Sequence, residues 1–187
     1  AFALNAQSQA SILESYLVTD SGAGNDYKTA ATADGYYFGF FRTGNTFLLK
    51  GAEIQSTSDD ATGNVCSGTL HYRIYKECET PGSFLTVALP FCCDEGGTDC
   101  DGGACNVPAS GAGITNQKWR SNTETINILS GLTKGDYILE FYTSATGSTT
   151  SNADCSETLL FDNSSSNFKG QFSVGEEGFA DGNFSAN

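Results

Sequence analysis

The sequence predicts an all-β chain, an antiparallel two-sheet β-sandwich with a disulfide-rich loop insert. Three observations carry this. Residues 124–143, ETINILSGLTKGDYILEFYT, alternate apolar and polar positions on both sides of a short glycine-containing corner, the pattern of a half-buried antiparallel hairpin. Phe (13), Tyr (8) and Gly (22) are abundant and Met is absent, and no window holds an apolar stripe at helical spacing. Four of the seven cysteines, Cys92, Cys93, Cys100 and Cys105, fall in one Gly- and Asp-rich stretch. A chain of 187 residues is long enough for one sizeable core and short for two.

Strands are expected, in order, at residues 2–12, 13–19, 35–42, 47–55, 69–76, 84–91, 123–129, 135–143, 157–161 and 167–174. In 47–55, Gly51 breaks the alternation; a bulge there puts Phe47, Leu49, Ala52 and Ile54 on one inward face. In 69–76, Leu70, Tyr72 and Ile74 face the core, leaving His71, Arg73 and Tyr75 outside. Thr80-Pro81-Gly82-Ser83 is a turn, because Pro presets φ and Gly accepts positive φ. It returns the chain through 84–91 with Leu85, Val87, Leu89 and Phe91 inward. Residues 92–116 read as a long Gly, Cys and Asp-rich loop, and 176–187 as an acidic tail. The organisation expected is therefore an extended segment (1–12), a sandwich (13–175) containing the insert 92–116, and the tail.

Short strands separated by turns suit an immunoglobulin-like or jelly-roll sandwich. The Leu132-x-x-Gly135-x-Tyr137 spacing resembles the tyrosine corner of immunoglobulin-like sandwiches, in which the Tyr hydroxyl ties the corner to nearby backbone. More broadly, residues 47–54 (FLLKGAEI), 65–76 (VCSGTLHYRIYK), 81–91, 117–119, 126–142 and 160–172 (LFDNSSSNFKGQF) together resemble a sandwich module of secreted Bacteroidetes exoproteins, cargo of the type IX route. The resemblance implies export and an extracellular or cell-surface role, and it carries over no catalytic residue.

The formal charge of −13 repels nucleic acid and anionic lipid, and no apolar run approaches the length of a membrane span. Seven cysteines without paired CxxC motifs point to disulfides and an oxidising compartment. The opening AFALNAQ has the small-residue A-x-A pattern that ends a secretory signal, as in a processed chain. Cys92, Cys93, Cys100 and Cys105 can form two local bridges, and Cys66 and Cys155 can pair across the sandwich. Cys78 is left over: an intermolecular bridge, a buried thiol and a different pairing all stay open. No cofactor is implied, except that Asp94, Glu95, Asp99 and Asp101 offer hard oxygens on a glycine-rich loop that Ca²⁺ accepts, against the plainer reading of a solvated acidic loop.

Tyr36, Tyr37, Phe38, Phe40 and Phe41 form either a sugar-stacking row or a strand buried on both faces, and the two-sided pattern favours core; Trp119 is the one tryptophan. Catalysis finds no support: His71 is the single histidine, on an outward position, with no Gly-x-Ser-x-Gly elbow. Asn163-Ser164-Ser165 and Asn183-Phe184-Ser185 match the N-glycosylation sequon. At the start, Phe2, Leu4, Ala6, Ala10 and Ile12 occupy even positions between polar residues, an apolar strand edge suited to docking on another subunit's sheet. The expectation is a non-enzymatic extracellular structural subunit that self-assembles by strand addition into a filament or surface layer. The alternative is a secreted carbohydrate-binding or Ca²⁺-dependent adhesion module.

Overall fold

A computed structural model describes residues 10–59, 63–148, 155–161 and 165–176. In chain order the elements are β1 (Ser11–Asp20), β2 (Asp26–Thr29), a single helical turn α1 (Ala30–Ala33), β3 (Tyr37–Arg42), β4 (Leu48–Asp59), β5 (Asn64–Lys76) and β6 (Leu85–Leu89). They continue with β7 (Phe91–Asp94), β8 (Ile114–Ser121), β9 (Ile126–Asn127), β10 (Gly135–Ser148), β11 (Glu157–Phe161) and β12 (Phe168–Gly175). The first sheet has the order β2-β1-β4-β8-β7, with β9 also on β4; the second has the order β3-β12-β10-β5-β6, with β11 also on β10. Every pairing is antiparallel except β3 with β12. The chain is a two-sheet β-sandwich.

The inner faces meet in a core where Phe47 stacks on Phe41 and meets Phe172 edge-on, and Tyr137 stacks on Phe172. Leu49, Ile54, Leu70 and Leu139 are fully buried beside them. The bulge expected at Gly51 is present: Val18 pairs with Gly51 and Thr19 with Leu49, so Lys50 is the extra residue. Phe47, Leu49, Ala52 and Ile54 all face inward as the pattern required. Glycine is needed at 51 twice over, since its φ is +127° and a Cβ would lie 2.2 Å from the Ser121 carbonyl oxygen. The tyrosine corner is also present. The Tyr137 hydroxyl donates to the Thr133 carbonyl at 2.8 Å and accepts the Thr133 amide at 3.1 Å.

Three expectations need correction. The strand at 84–91 is two strands in two sheets, because Pro90 has no N–H to continue a ladder and the chain crosses between layers there. All four residues expected inward keep that side, but only Val87 and Leu89 are buried; Leu85 (60% exposed, opposite Tyr72) and Phe91 (47%, opposite Trp119) lie on edge strands and stay open to solvent. The strand at 123–129 shrinks to β9, and Ile128 reaches the core from a turn that follows it. The insert is shorter than 92–116, since β7 and β8 occupy both of its ends. At the start of the chain, Ala10 is buried and Ile12 pairs with Ser56 of β4, so both belong to this sandwich; Phe2, Leu4 and Ala6 lie outside the described residues.

Candidate functional site

The two sheets present contrasting outer faces. On the first, alternation sends Tyr16 of β1, Glu53 and Gln55 of β4, and Lys118 and Arg120 of β8 outward, but the loop between β7 and β8 covers them. Cys92–Cys100 and Cys93–Cys105 staple that loop. Asp99, at its centre, is buried and receives Lys118 Nζ at 2.8 Å and Arg120 Nη2 at 2.5 Å. Arg120 also bonds Asp101 at 2.6 Å and approaches Glu53 at 3.5 Å, whose other oxygen accepts from Gln55. Burial alone would raise the Asp99 carboxyl, but the bonds from Lys118 and the Asp101 amide, with the Arg120 and Lys118 charges, hold it at about 2. A hollow of about 370 Å³ remains beside these groups.

Of the four acidic residues proposed as oxygen ligands, Asp99 and Asp101 bring carboxylate oxygens within 4.8 Å of each other, while Asp94 and Glu95 bond elsewhere. Asp99 and Asp101 share Arg120, Asp94 accepts from Gln117 of β8, and Glu95 takes the Ser110 amide on both oxygens. Trp119 is buried on the inner face against the edge of Phe91. The aromatic run divides: Phe38 and Phe41 turn to Phe47, while Tyr36, Tyr37 and Phe40 are exposed. Cys66 and Cys155 are bonded, but both belong to the second sheet, in β5 and just ahead of β11. Cys78 is exposed and unbridged in the β5–β6 connection. Asn163 and Asn183 lie outside the described residues.

The second sheet's outer face is open. The register sets Thr69, His71, Arg73 and Tyr75 of β5 beside Ser144, Tyr142, Glu140 and Ile138 of β10. His71 lies flat on Tyr142, centroids 4.3 Å apart and planes within 2°, and Phe84 meets Tyr142 edge-on at 5.1 Å. His71 Nε2 is 2.9 Å from Ser144 Oγ, and burial pushes its pKa down, which keeps the ring neutral at pH 7. The groove here holds about 910 Å³, walled by Thr69, Ser144, Thr146, Thr158 and Asn167 around the rings. Behind the groove's Asn167 lies Glu140, only 3% exposed, gripped by Arg73 through two bonds at 2.9 and 3.0 Å and by Asn167 at 2.7 Å. Burial would raise the Glu140 carboxyl, but these donors, Tyr75 and the guanidinium charge hold it below its ordinary value. Phe84 covers Arg73 at 4.2 Å.

The sequence placed His71, Arg73 and Tyr75 outward but did not single out Phe84, Tyr142, Ser144 or Asn167. The signal available was the outward register of residues 138–146, whose Tyr, Ser and Thr are richer in rings and hydroxyls than in charge. No protein-family model and no curated protein matches this chain.

Proposed function

We propose that this chain is an exported binding module and that the open groove of the second sheet takes a neutral polyhydroxylated ligand, a carbohydrate. The observation that supports it most is the stacked His71–Tyr142 pair, with Phe84 nearly at right angles to Tyr142, in a groove lined by hydroxyl and amide groups. A sugar ring offers an apolar C–H face to an aromatic surface and hydroxyls at its rim to Ser, Thr and Asn side chains. The groove's volume suits a ligand of several rings. The net charge of −13 disfavours polyanions, and the Arg73–Glu140 pair neutralises itself. Three disulfides fit an oxidising, extracellular-type compartment. The test is electrophoresis of the native protein through gels containing neutral polysaccharides. Retardation by at least one of them, lost in Tyr142→Ala, is expected; free migration through all of them rejects the reading.

A second reading is a self-assembling structural subunit, filament or surface layer. Its support is that β6 and β7, consecutive in the chain, are edge strands of the two sheets and expose Leu85 and Phe91 there. Residues Phe2, Leu4 and Ala6 of a second copy would add to this side as a strand. Negative-stain microscopy tests it: fibres that disappear when residues 1–9 are deleted support it, and uniform small particles from the full chain reject it.

A further inference from the structure

The second sheet carries another hollow on the same outer face, about 340 Å³, lined by Tyr37, Asp136, Ile138, Gln171 and Ser173 among others. It is built on the same strand as the groove. From Asp136 through Ile138, Glu140 and Tyr142 to Ser144, every second residue of β10 points outward, so one strand runs under both. Their nearest lining residues on β10, Ile138 and Tyr142, are four positions apart, about 13 Å at the strand's rise, the length of a few sugar rings laid end to end.

The second hollow shares with the groove an aromatic ring beside hydroxyl and amide groups, and adds two carboxylates, Asp136 and Glu77. The Tyr37 ring is about half exposed, and its hydroxyl donates to Ser173 Oγ at 3.1 Å. Ser173 in turn donates to Asp136 Oδ1 at 2.6 Å. A half-exposed ring therefore stands beside an ordered row of hydroxyl and carboxylate oxygens, where Tyr142 stands beside hydroxyls. On the surface between the hollows Glu140 is held by Arg73 and Asn167, Tyr75 stands opposite Ile138, and the exposed Lys169 of β12 lies in register beside Glu140.

We infer that the groove and the Tyr37 hollow are two ends of one track, and that the ligand is a linear neutral polysaccharide lying along β10 rather than a single sugar. This rests on the carbohydrate reading of the groove. It requires that affinity grow with chain length and that the growth depend on residues remote from His71 and Tyr142.

The experiment is calorimetric titration of the full chain with neutral homo-oligosaccharides of glucose, mannose and xylose, each from disaccharide to hexasaccharide. The expected result is a hexasaccharide bound about tenfold more tightly than the disaccharide of the same series, one further ring stack's worth. Tyr37→Ala should abolish that gain while leaving disaccharide affinity unchanged. Ile138→Arg, which puts a bulky charge midway along the track, should do the same and serves should the Tyr37 variant fail to fold. Equal affinity at all lengths, or a gain that survives both substitutions, overturns the track and leaves the groove reading standing. Absence of binding by every series at every length overturns both.

Discussion

The outer faces of the two sheets start from the same rule, alternate residues pointing away from a shared core, and reach opposite ends. On the first sheet the outward residues are mostly charged, and a stapled loop descends on them until Lys118, Arg120, Asp99 and Glu53 pair with one another, with Arg120 Nε left unpartnered. On the second they are rings, hydroxyls and one ion pair, edged by Phe84 from one connection and Ser165, Ser166 and Asn167 from another. The difference separates structure from recognition. A closed polar network has used most of its bonding capacity on itself, whereas a row of half-buried rings edged by hydroxyls still has faces to offer. Substitutions on the first face should therefore act on stability and leave binding alone, and those on the second should do the reverse.

The disulfides make the largest test of that division. Cys66–Cys155 closes a sequence separation of 89, and losing it through Cys66→Ser with Cys155→Ser should cost about 4 kcal/mol in the chain-entropy picture. It also ties down β11, whose Thr158 and Leu160 form one wall of the groove, so ligand affinity should fall with stability. Cys93–Cys105 spans 12 residues, and removing it should cost about 3 kcal/mol while affinity stays unchanged. Chemical denaturation read beside calorimetric titration checks both. A loss of binding on opening the Cys93–Cys105 bridge would break the comparison.

Asp99→Ala comes next. It strips the principal carboxylate from two buried cations, and truncating one side of such a network costs about 3 kcal/mol even with Glu53 and Asp101 still nearby. The same denaturation curves measure it, again with binding intact. On the open face the balance reverses. Tyr142→Ala should weaken carbohydrate binding about tenfold and change stability by less than about 1 kcal/mol, because the ring covers its neighbour His71 without entering the core cluster.

The same asymmetry explains what the sequence disclosed. Strands with one apolar and one polar face were legible: β5 and β10, the bulge at Gly51 and the Tyr137 corner all follow from alternation and local turn chemistry. β8, ITNQKWRS, was not, because both its faces are buried and one is buried with charge. An outward Lys118 and Arg120 look like solvent contacts until Asp99, some twenty residues earlier, folds over them. Phe91 reads as a core residue in a continued strand, but Pro90 hands it to the other sheet's edge. The groove was hidden for a related reason. Tyr142, Ser144 and Thr146 are the ordinary composition of a wet sheet face, and only the register that stacks His71 on Tyr142 gives them a common direction.

The smallest effect is in pH, and there Asp99 on one face and His71 on the other separate by window rather than size. Asp99 has its carboxyl lowered to about 2 in the fold, against an unfolded value of about 3.9, so the unfolded chain takes up the proton first as pH falls. The stabilisation from Asp99 is complete above the unfolded value and is lost between there and about pH 2. His71 is also lowered, but from about 6.5, because burial disfavours its charged form. Its contribution is complete above that value and declines as pH drops below it, until the folded ring protonates as well. Melting temperature followed from pH 8 to pH 2 should therefore show a shallow decline beginning near 6.5 and a steeper one below 4. His71→Gln should remove the first and leave the second, and Asp99→Asn should leave the first and shrink the second to the part that the lowered Glu140 carboxyl supplies, from a lower baseline. A single decline that both substitutions alter would mean that the two faces are energetically coupled through the core, and the separation of a structural face from a recognition face would fail with it.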